Sequence, residues 1–137
     1  MAPLSKTEAE TFFENVLEGV EKGDRLLFAA FIDSKLVGTV QVLFPWPPNQ
    51  PHRADVAKLL VVRSARGRGV GSRLMEHAEE ASRLAGKTLL VLDTATGDHA
   101  ERLYTRLGWT RVGVIPNYAL YPDGKFCDTT MFWKSLA

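Results

Sequence analysis

The chain has 137 residues, of which 45% are hydrophobic and 24% are charged. These proportions are typical of a soluble globular protein, and the length predicts one domain over residues 1–137. The net charge of +1 excludes a global field that would attract nucleic acid or a membrane surface. The single cysteine, Cys127, excludes an internal disulfide, and no apolar run could span a bilayer. The sequence therefore predicts a cytoplasmic protein.

The first part of the chain has the pattern of one helix followed by three strands. Ser5 and Glu8 have capping-box spacing, and apolar residues then recur at steps of three and four, which predicts an amphipathic helix. Two apolar runs joined by a short polar turn predict an antiparallel hairpin. The predicted elements are a helix at 5–22, strands at 26–33, 36–44 and 54–63, and a proline-rich loop at 45–51.

The second part of the chain predicts alternating helices and strands. A strand, a loop, a helix and a continuous apolar strand form a unit whose two strands we expect to be parallel. Asp98 and Glu101 repeat the capping-box spacing at the start of a second helix. The predicted elements are helices from Val70 to Ala85 and from Asp98 to Leu107, strands at 88–93, 109–115 and 126–134, and a loop at 116–124.

The most informative stretch is the loop Arg66-Gly67-Arg68-Gly69-Val70-Gly71, which leads into the first of these two helices. Glycine allows positive φ and close approach to the main chain, and the N–H groups at a helix start attract anions. The loop therefore predicts a phosphate-binding site. A dinucleotide-binding unit is a competing interpretation, although Ser72 stands where its last glycine should be. A P-loop is excluded because no Gly-Lys-Ser/Thr follows at the required step.

Two motifs together resemble the GNAT superfamily of acyl-CoA-dependent N-acyltransferases. The loop at 66–71 matches the pyrophosphate loop of that family. The stretch from Ala100 to Trp109 matches its Ala-x-x-Leu-Tyr-x-x-x-Gly-Phe/Trp helix end. The resemblance covers residues 5–136. Within the superfamily, the sequence is similar to the tabtoxin-resistance type of acetyltransferase. The extra strand and helix with which the family usually opens are missing from the pattern.

The resemblance implies an α/β fold with a mixed, mostly antiparallel sheet, two splayed parallel central strands, and helices on both faces. It implies acetyl-CoA as acyl donor, with its pyrophosphate on the loop and its arm along the exposed backbone of the 54–63 strand. A backbone N–H near Val61 would stabilise the oxyanion. The implied cofactor-binding residues are Leu60, Val61, Val62, Arg66, Gly67, Arg68, Gly69, Val70, Gly71, Ser72, Asp98 and Ala100. No metal is implied.

The resemblance also implies proton-handling residues. Tyr104 matches the general-acid tyrosine of the family, and its phenol can donate to a leaving sulfur while remaining neutral. Asp55 and Asp93 are alternative general bases, acting directly or through a bridging water. Each of these residues also has a purely structural interpretation. Tyr104 could be an aromatic residue of the core, and each aspartate could accept hydrogen bonds from nearby backbone N–H groups. Because Cys127 has no paired base in the sequence, we expect direct attack on acetyl-CoA and not a thiol intermediate.

Three functional hypotheses follow. The first is acetylation of a primary amine on a small molecule. The second is acetylation of a protein N-terminus or lysine, and the third, from another class, is a non-catalytic domain that binds CoA as a sensor. An open sheet edge at 26–33 predicts in addition a homodimer that covers this strand.

Overall fold

The computed structural model describes residues 25–45 and 47–137. The predicted helix at 5–22 lies outside these residues. The prediction that helices cover both faces of the sheet depends on that helix and stays a prediction. In the described ranges no helix is long and apolar enough to cross a membrane. The strands are β1 Arg25–Ile32, β2 Lys35–Leu43, β3 Arg53–Val61, β4 Leu89–Ala95, β5 Thr110–Leu120 and β6 Phe126–Ser135. The helices are α1 Val70–Leu84 and α2 Ala100–Arg106, with a short 3-10 turn at Arg63–Ala65.

The strands form one six-stranded mixed sheet in the order β1-β2-β3-β4-β6-β5. β1 and β2 pair antiparallel from Arg25↔Leu43 to Ile32↔Lys35, which confirms the predicted hairpin. β4–β6 and β5–β6 are also antiparallel. In this part of the chain β1 and β5 are the two edges of the sheet.

The two parallel strands at the centre separate along their length. β3 and β4 pair only through Arg53↔Leu89, Ala54↔Leu90 and Asp55↔Val91. Beyond this point β3 stays paired to β2, and β4 stays paired to β6. The two strands are therefore held on their outer sides while their inner sides face a gap, which confirms the predicted splay.

The core lies between the sheet and both helices. Leu74, Met75 and Ala78 of α1 are fully buried, in one cluster with Tyr104 and Phe132. α1 approaches β2 so closely that a Cβ at Gly38 would lie 3.0 Å from Leu74 Cδ1. Any side chain larger than glycine at this position would therefore push the helix away from the sheet.

The buried stripe of α1 differs from the one that helical periodicity predicts, which is Val70, Leu74, Ala78, Ala81 and Ala85. Val70, Leu74 and Ala78 are buried as expected, but Ala81 is only half-buried and Ala85 is exposed. Met75, Glu79 and Ser82 take their place. The stripe turns because the second half of the helix packs toward a lysine of β6 that sequence periodicity does not reveal.

The strand predicted at 109–115 is longer than expected. β5 continues to Leu120, so the predicted loop at 116–124 is wrong in its first half. The register with β6 shifts between Ile115 and Ala119, and Asn117 has a φ of 54°. The N–H of Asn117 donates to Asp128 Oδ1 at 2.9 Å, which replaces a ladder bond across the bulge. Pro116 is tolerated at this edge because it has no N–H to pair.

Candidate active site

The gap between β3 and β4 opens into a cleft of about 570 Å³. Its walls come from the end of β3, from the glycine-arginine loop with the start of α1, and from α2. A second, smaller cavity of about 140 Å³ lies between β3 and β4 themselves, and Leu59, Thr94 and Tyr104 border both spaces. The two spaces together extend from the loop to the point where the strands part.

A bulge in β3 shapes the strand side of the cleft. Thr39 pairs with Leu60 and Gln41 with Ala57, so β3 contains one more residue than β2 between these pairs. Lys58, within the bulge, has a φ of 55°. Val62 N–H donates to Val37 O of β2 at 2.8 Å. Because successive N–H groups alternate along a strand, Val61 N–H points to the opposite side, toward the cleft.

The loop has the backbone conformation on which the predicted anion site depends. Gly67 and Gly69 have φ values of 78° and 80°, and a Cβ at either would meet nothing within 4 Å. Glycine is therefore required at these two positions by conformation and not by space. Gly69 is the N-cap of α1, and no side chain caps this end. The first N–H groups of the helix are thus available to an anion.

Arg66 joins the loop to the strand. Its Nε donates to Val61 O at 3.3 Å, which places a guanidinium at the junction of β3 and the loop. On the other side, a Cβ at Gly71 would lie 3.1 Å from Leu103 Cδ2 of α2. The glycine therefore lets α1 and α2 approach each other along the cleft.

Most of the predicted cofactor-binding residues come together in the cleft. Those that line it are Leu60, Val61, Arg66, Gly67, Gly69, Val70, Gly71, Ser72, Asp98 and Ala100. Val62 and Arg68, which were also predicted to bind the cofactor, do not line it. Thr94, Arg102 and Arg106 line it although the sequence did not single them out. The i, i+4 spacing of the two arginines was the available signal.

Asp98 has a structural role in addition to its place on the cleft. Its Oδ1 accepts a hydrogen bond from Ala100 N–H at 2.9 Å, and Glu101 Oε2 accepts one from Gly97 N–H at 2.6 Å. The bond from Ala100 N–H satisfies one orphan donor of α2. The predicted capping box with Asp98 as N-cap is wrong in detail, because the N-cap is His99 and Glu101 bonds to Gly97 N–H, which precedes the helix. α2, which carries Tyr104, is thereby anchored at its first turn.

Tyr104 is a buried side chain at the junction of the two cavities. Its ring centroid lies 5.5 Å from that of Phe132 and 6.2 Å from that of Trp109, both in tilted geometry. Burial raises the pKa of Tyr104 to about 12, and the carboxylates of Asp98 and Asp93 add to this shift. The phenol is therefore a neutral hydrogen-bond donor throughout the physiological pH range.

The two candidate bases occupy different surroundings. Asp93 borders the small cavity with Tyr104 and accepts a hydrogen bond from Thr129 Oγ1 at 2.7 Å. Asp55 lies where β3 and β4 still pair, and its Oδ1 is 2.8 Å from Arg53 Nη1. Burial raises the pKa of Asp55, the Arg53 guanidinium opposes this shift, and the Asp93 carboxylate adds to it. Asp93, of the two, shares a cavity with the phenol.

The diverging central strands, and the glycine loop that leads into an uncapped helix start, define an α/β protein with a cleft between its two parallel strands. Residues 2–109 match the model of the acetyltransferase (GNAT) family. The chain therefore belongs to the GNAT family, as its two motifs predicted. The more specific resemblance to the tabtoxin-resistance type stays a prediction.

Two relatives and one solved structure illustrate the family relation. The chain is 34% identical over 97 residues to the N-alpha-acetyltransferase MAK3 of Arabidopsis thaliana, covering 70% of this chain and 50% of that protein. It is 29% identical over 112 residues to streptothricin acetyltransferase of Escherichia coli, covering 80% and 62%. The fold is similar to that of yncA from Salmonella typhimurium, whose structure was solved with its cofactor acetyl-CoA. The TM-score is 0.77 at 18% identity, covering 88% of this chain and 69% of that one. The chain thus spans between half and two thirds of the lengths of the two relatives.

Proposed function

We propose that this protein transfers the acetyl group of acetyl-CoA to a primary amine of a small molecule. The observation that carries the proposal is a pair of adjoining cavities that share Tyr104 as a border, with the uncapped helix start lining the larger one and Asp93 lining the smaller one. A donor with a pyrophosphate and a thioester needs both cavities. The acetyl-CoA in the yncA structure, which has the same fold, supports this choice of donor.

Donor binding follows from the backbone. The loop and the first N–H groups of α1 would hold the pyrophosphate, with Arg66 adding a charged donor beside them. The arm, which carries two amides, would pair with the inner side of β3 after the bulge, where β4 no longer supplies a partner. Val61 N–H would then donate to the thioester oxygen, where negative charge develops in the transition state.

The chemistry is a direct displacement. The acceptor nitrogen attacks the thioester carbonyl carbon, a C–N bond forms, and the C–S bond breaks. Asp93 would take the proton that the amine loses, directly or through water, and Tyr104 would donate to the departing sulfur. Cys127 is buried and its Sγ donates to Asp128 O at 3.2 Å, which favours this route over a thiol intermediate.

The acceptor class is supported by one relative and opposed by the other. Streptothricin acetyltransferase is named for a small-molecule acceptor, whereas MAK3 is named as an N-alpha-acetyltransferase, an enzyme of α-amino groups. A panel of streptothricin, simple primary amines and short peptides, assayed with acetyl-CoA by release of free thiol, decides between them. We expect turnover with small amines. Turnover with peptides alone would reverse the choice, and CoA binding without turnover of any acceptor would support the sensor hypothesis.

We expect Gly69→Asp to weaken CoA binding about 10- to 100-fold, because a carboxylate enters the anion site and repels phosphate. The substitution also strains a backbone with φ of 80°. Gly86→Asp is the matched control, since Gly86 has φ of 82° at the other end of α1 and does not line the cleft. Calorimetry should show normal CoA affinity for the control. Equal losses in both variants would refute the phosphate-loop assignment.

We expect Asp93→Asn to lower kcat about 100-fold, with little change in the KM for acetyl-CoA, because the amine loses its proton acceptor. Asp55→Asn should have a much smaller effect on kcat, since Asp55 lies in the short stretch where β3 and β4 are still paired. Steady-state kinetics on both variants test the choice. A larger loss in Asp55→Asn would assign the base to Asp55.

We propose in addition that the protein is a homodimer in which β1 is covered. β1 is an edge of the sheet among the described residues, and exposed edges are usually paired or covered. Light scattering at high protein concentration checks this, and a monomeric mass would contradict it.

A further inference from the structure

Two arginines of α2 border the same cleft as the glycine-arginine loop. Arg102 and Arg106 are four residues apart, so they project from one side of the helix. Both line the cleft together with Arg66, which comes from the loop on another wall. Three guanidinium groups from two separate elements therefore surround one space.

The charges of Arg102 and Arg106 are not neutralised by the part of the chain that the structure describes. Among the described residues, neither side chain has a hydrogen bond or an ion pair. The acids in the first turns of α2 are already committed, because Glu101 accepts from Gly97 N–H and Asp98 accepts from Ala100 N–H. The helix dipole stabilises the positive charge of Arg106, which lies in the last turn, but it does not stabilise that of Arg102.

Like charges four residues apart on a helix repel each other. α2 has only seven residues, so it has little length with which to offset this repulsion. An anion held between the two side chains would turn the repulsion into two attractive contacts. The arrangement is therefore better suited to a helix with a bound anion than to one without.

We propose that Arg102 and Arg106 bind the 3′-phosphomonoester of CoA. This inference rests on the proposed donor. The pyrophosphate would occupy the loop and the start of α1, which leaves the third phosphate of CoA without a partner there. A phosphomonoester carries close to two negative charges at neutral pH, and the planar fork of arginine matches its oxygens. The pair would distinguish CoA from dephospho-CoA, which lacks only this group.

The test compares CoA and dephospho-CoA by calorimetry on the wild-type protein and on the double variant Arg102→Gln/Arg106→Gln. We expect the wild type to bind CoA about 10- to 100-fold more tightly than dephospho-CoA. The double variant should bind both compounds with similar affinity, close to that of the wild type for dephospho-CoA. Both side chains are exposed, so the variant should fold normally, and thermal unfolding verifies this.

Arg83→Gln is the control, because Arg83 is an exposed arginine in the last turn of α1 that lies 3.5 Å from Glu80 and does not line the cleft. It should keep the wild-type preference for CoA. Equal loss of affinity for both compounds in the double variant would overturn the site, as would a wild type that does not discriminate between them. A wild type that binds neither compound would instead refute the donor proposal, and the site with it.

Discussion

Replacing Tyr104 by phenylalanine is expected to lower kcat about 1000-fold, while the KM for acetyl-CoA changes little. The change removes only the phenolic oxygen, so the ring can keep its contacts with Phe132 and Trp109. The decrease in kcat therefore measures the contribution of the phenolic O–H, which donates to the leaving sulfur, and not a packing defect. Steady-state kinetics, with thermal unfolding to verify the fold, measure it. A kcat within about threefold of the wild type would remove Tyr104 from the mechanism.

The pH dependence gives a second measure of the same residue. Since the pKa of Tyr104 is raised to about 12, its acid form is fully present at neutral pH and is lost only as pH rises toward 12. A loss of kcat between pH 8 and about 10 must then belong to another group. We expect the high-pH side of the profile to have the same midpoint in the wild type and in the Tyr104→Phe variant. A midpoint that disappears in the variant would assign that titration to Tyr104.

The parts of the site that depend on local sequence were predictable. The loop at 66–71 needs positive φ at two glycines and a helix start directly after it, and both requirements are visible within a few residues. The hydrogen bonds that Asp98 and Glu101 accept around the start of α2 are equally local, although their pattern is not the predicted capping box. The family motif then related the loop to α2, so the two walls of the cleft could be assigned before any tertiary contact was known.

The parts that depend on distant contacts were not predictable. Glu79 has the position of a solvated helix residue in the sequence, yet it is buried against Lys134, 55 residues further along. The extension of β5 depends on a bond from Asn117 N–H to Asp128 across a bulge. Hydrophobic periodicity carries no information about such polar pairs, because each partner alone looks like a surface residue.

The relation between Asp55 and Asp93 also needed the structure. In the sequence the two residues are equivalent, since each is an acid on a central strand. The register shows that Asp55 lies in the short stretch where β3 and β4 are still paired, whereas Asp93 lies beyond it. The two aspartates therefore differ because of where the strands diverge. Asp55 is paired with Arg53, whereas Asp93 shares a cavity with Tyr104.

We expect Lys134→Met to destabilise the fold by about 3 kcal/mol, measured by urea unfolding. Lys134 Nζ lies 2.8 Å from Glu79 Oε1 of α1 and donates to Leu107 O, at the end of α2, at 2.6 Å. One ammonium group of β6 thus ties both helices to the sheet. Methionine would leave the carboxylate of Glu79, which is 8% exposed, without a counter-charge, and Leu107 O without a donor.

The double variant Glu79→Leu/Lys134→Met separates a buried charge from a general packing defect. Because it removes both charges, it should recover most of the stability that the single variant loses. Lys35→Met, at an exposed lysine of the β1–β2 hairpin, should change stability by less than about 0.5 kcal/mol. If the double variant is as unstable as the sum of its two single variants, the ion pair contributes nothing specific. If it recovers, α2 and its Tyr104 are held at their C-terminal end by a charge pair that no local motif encodes.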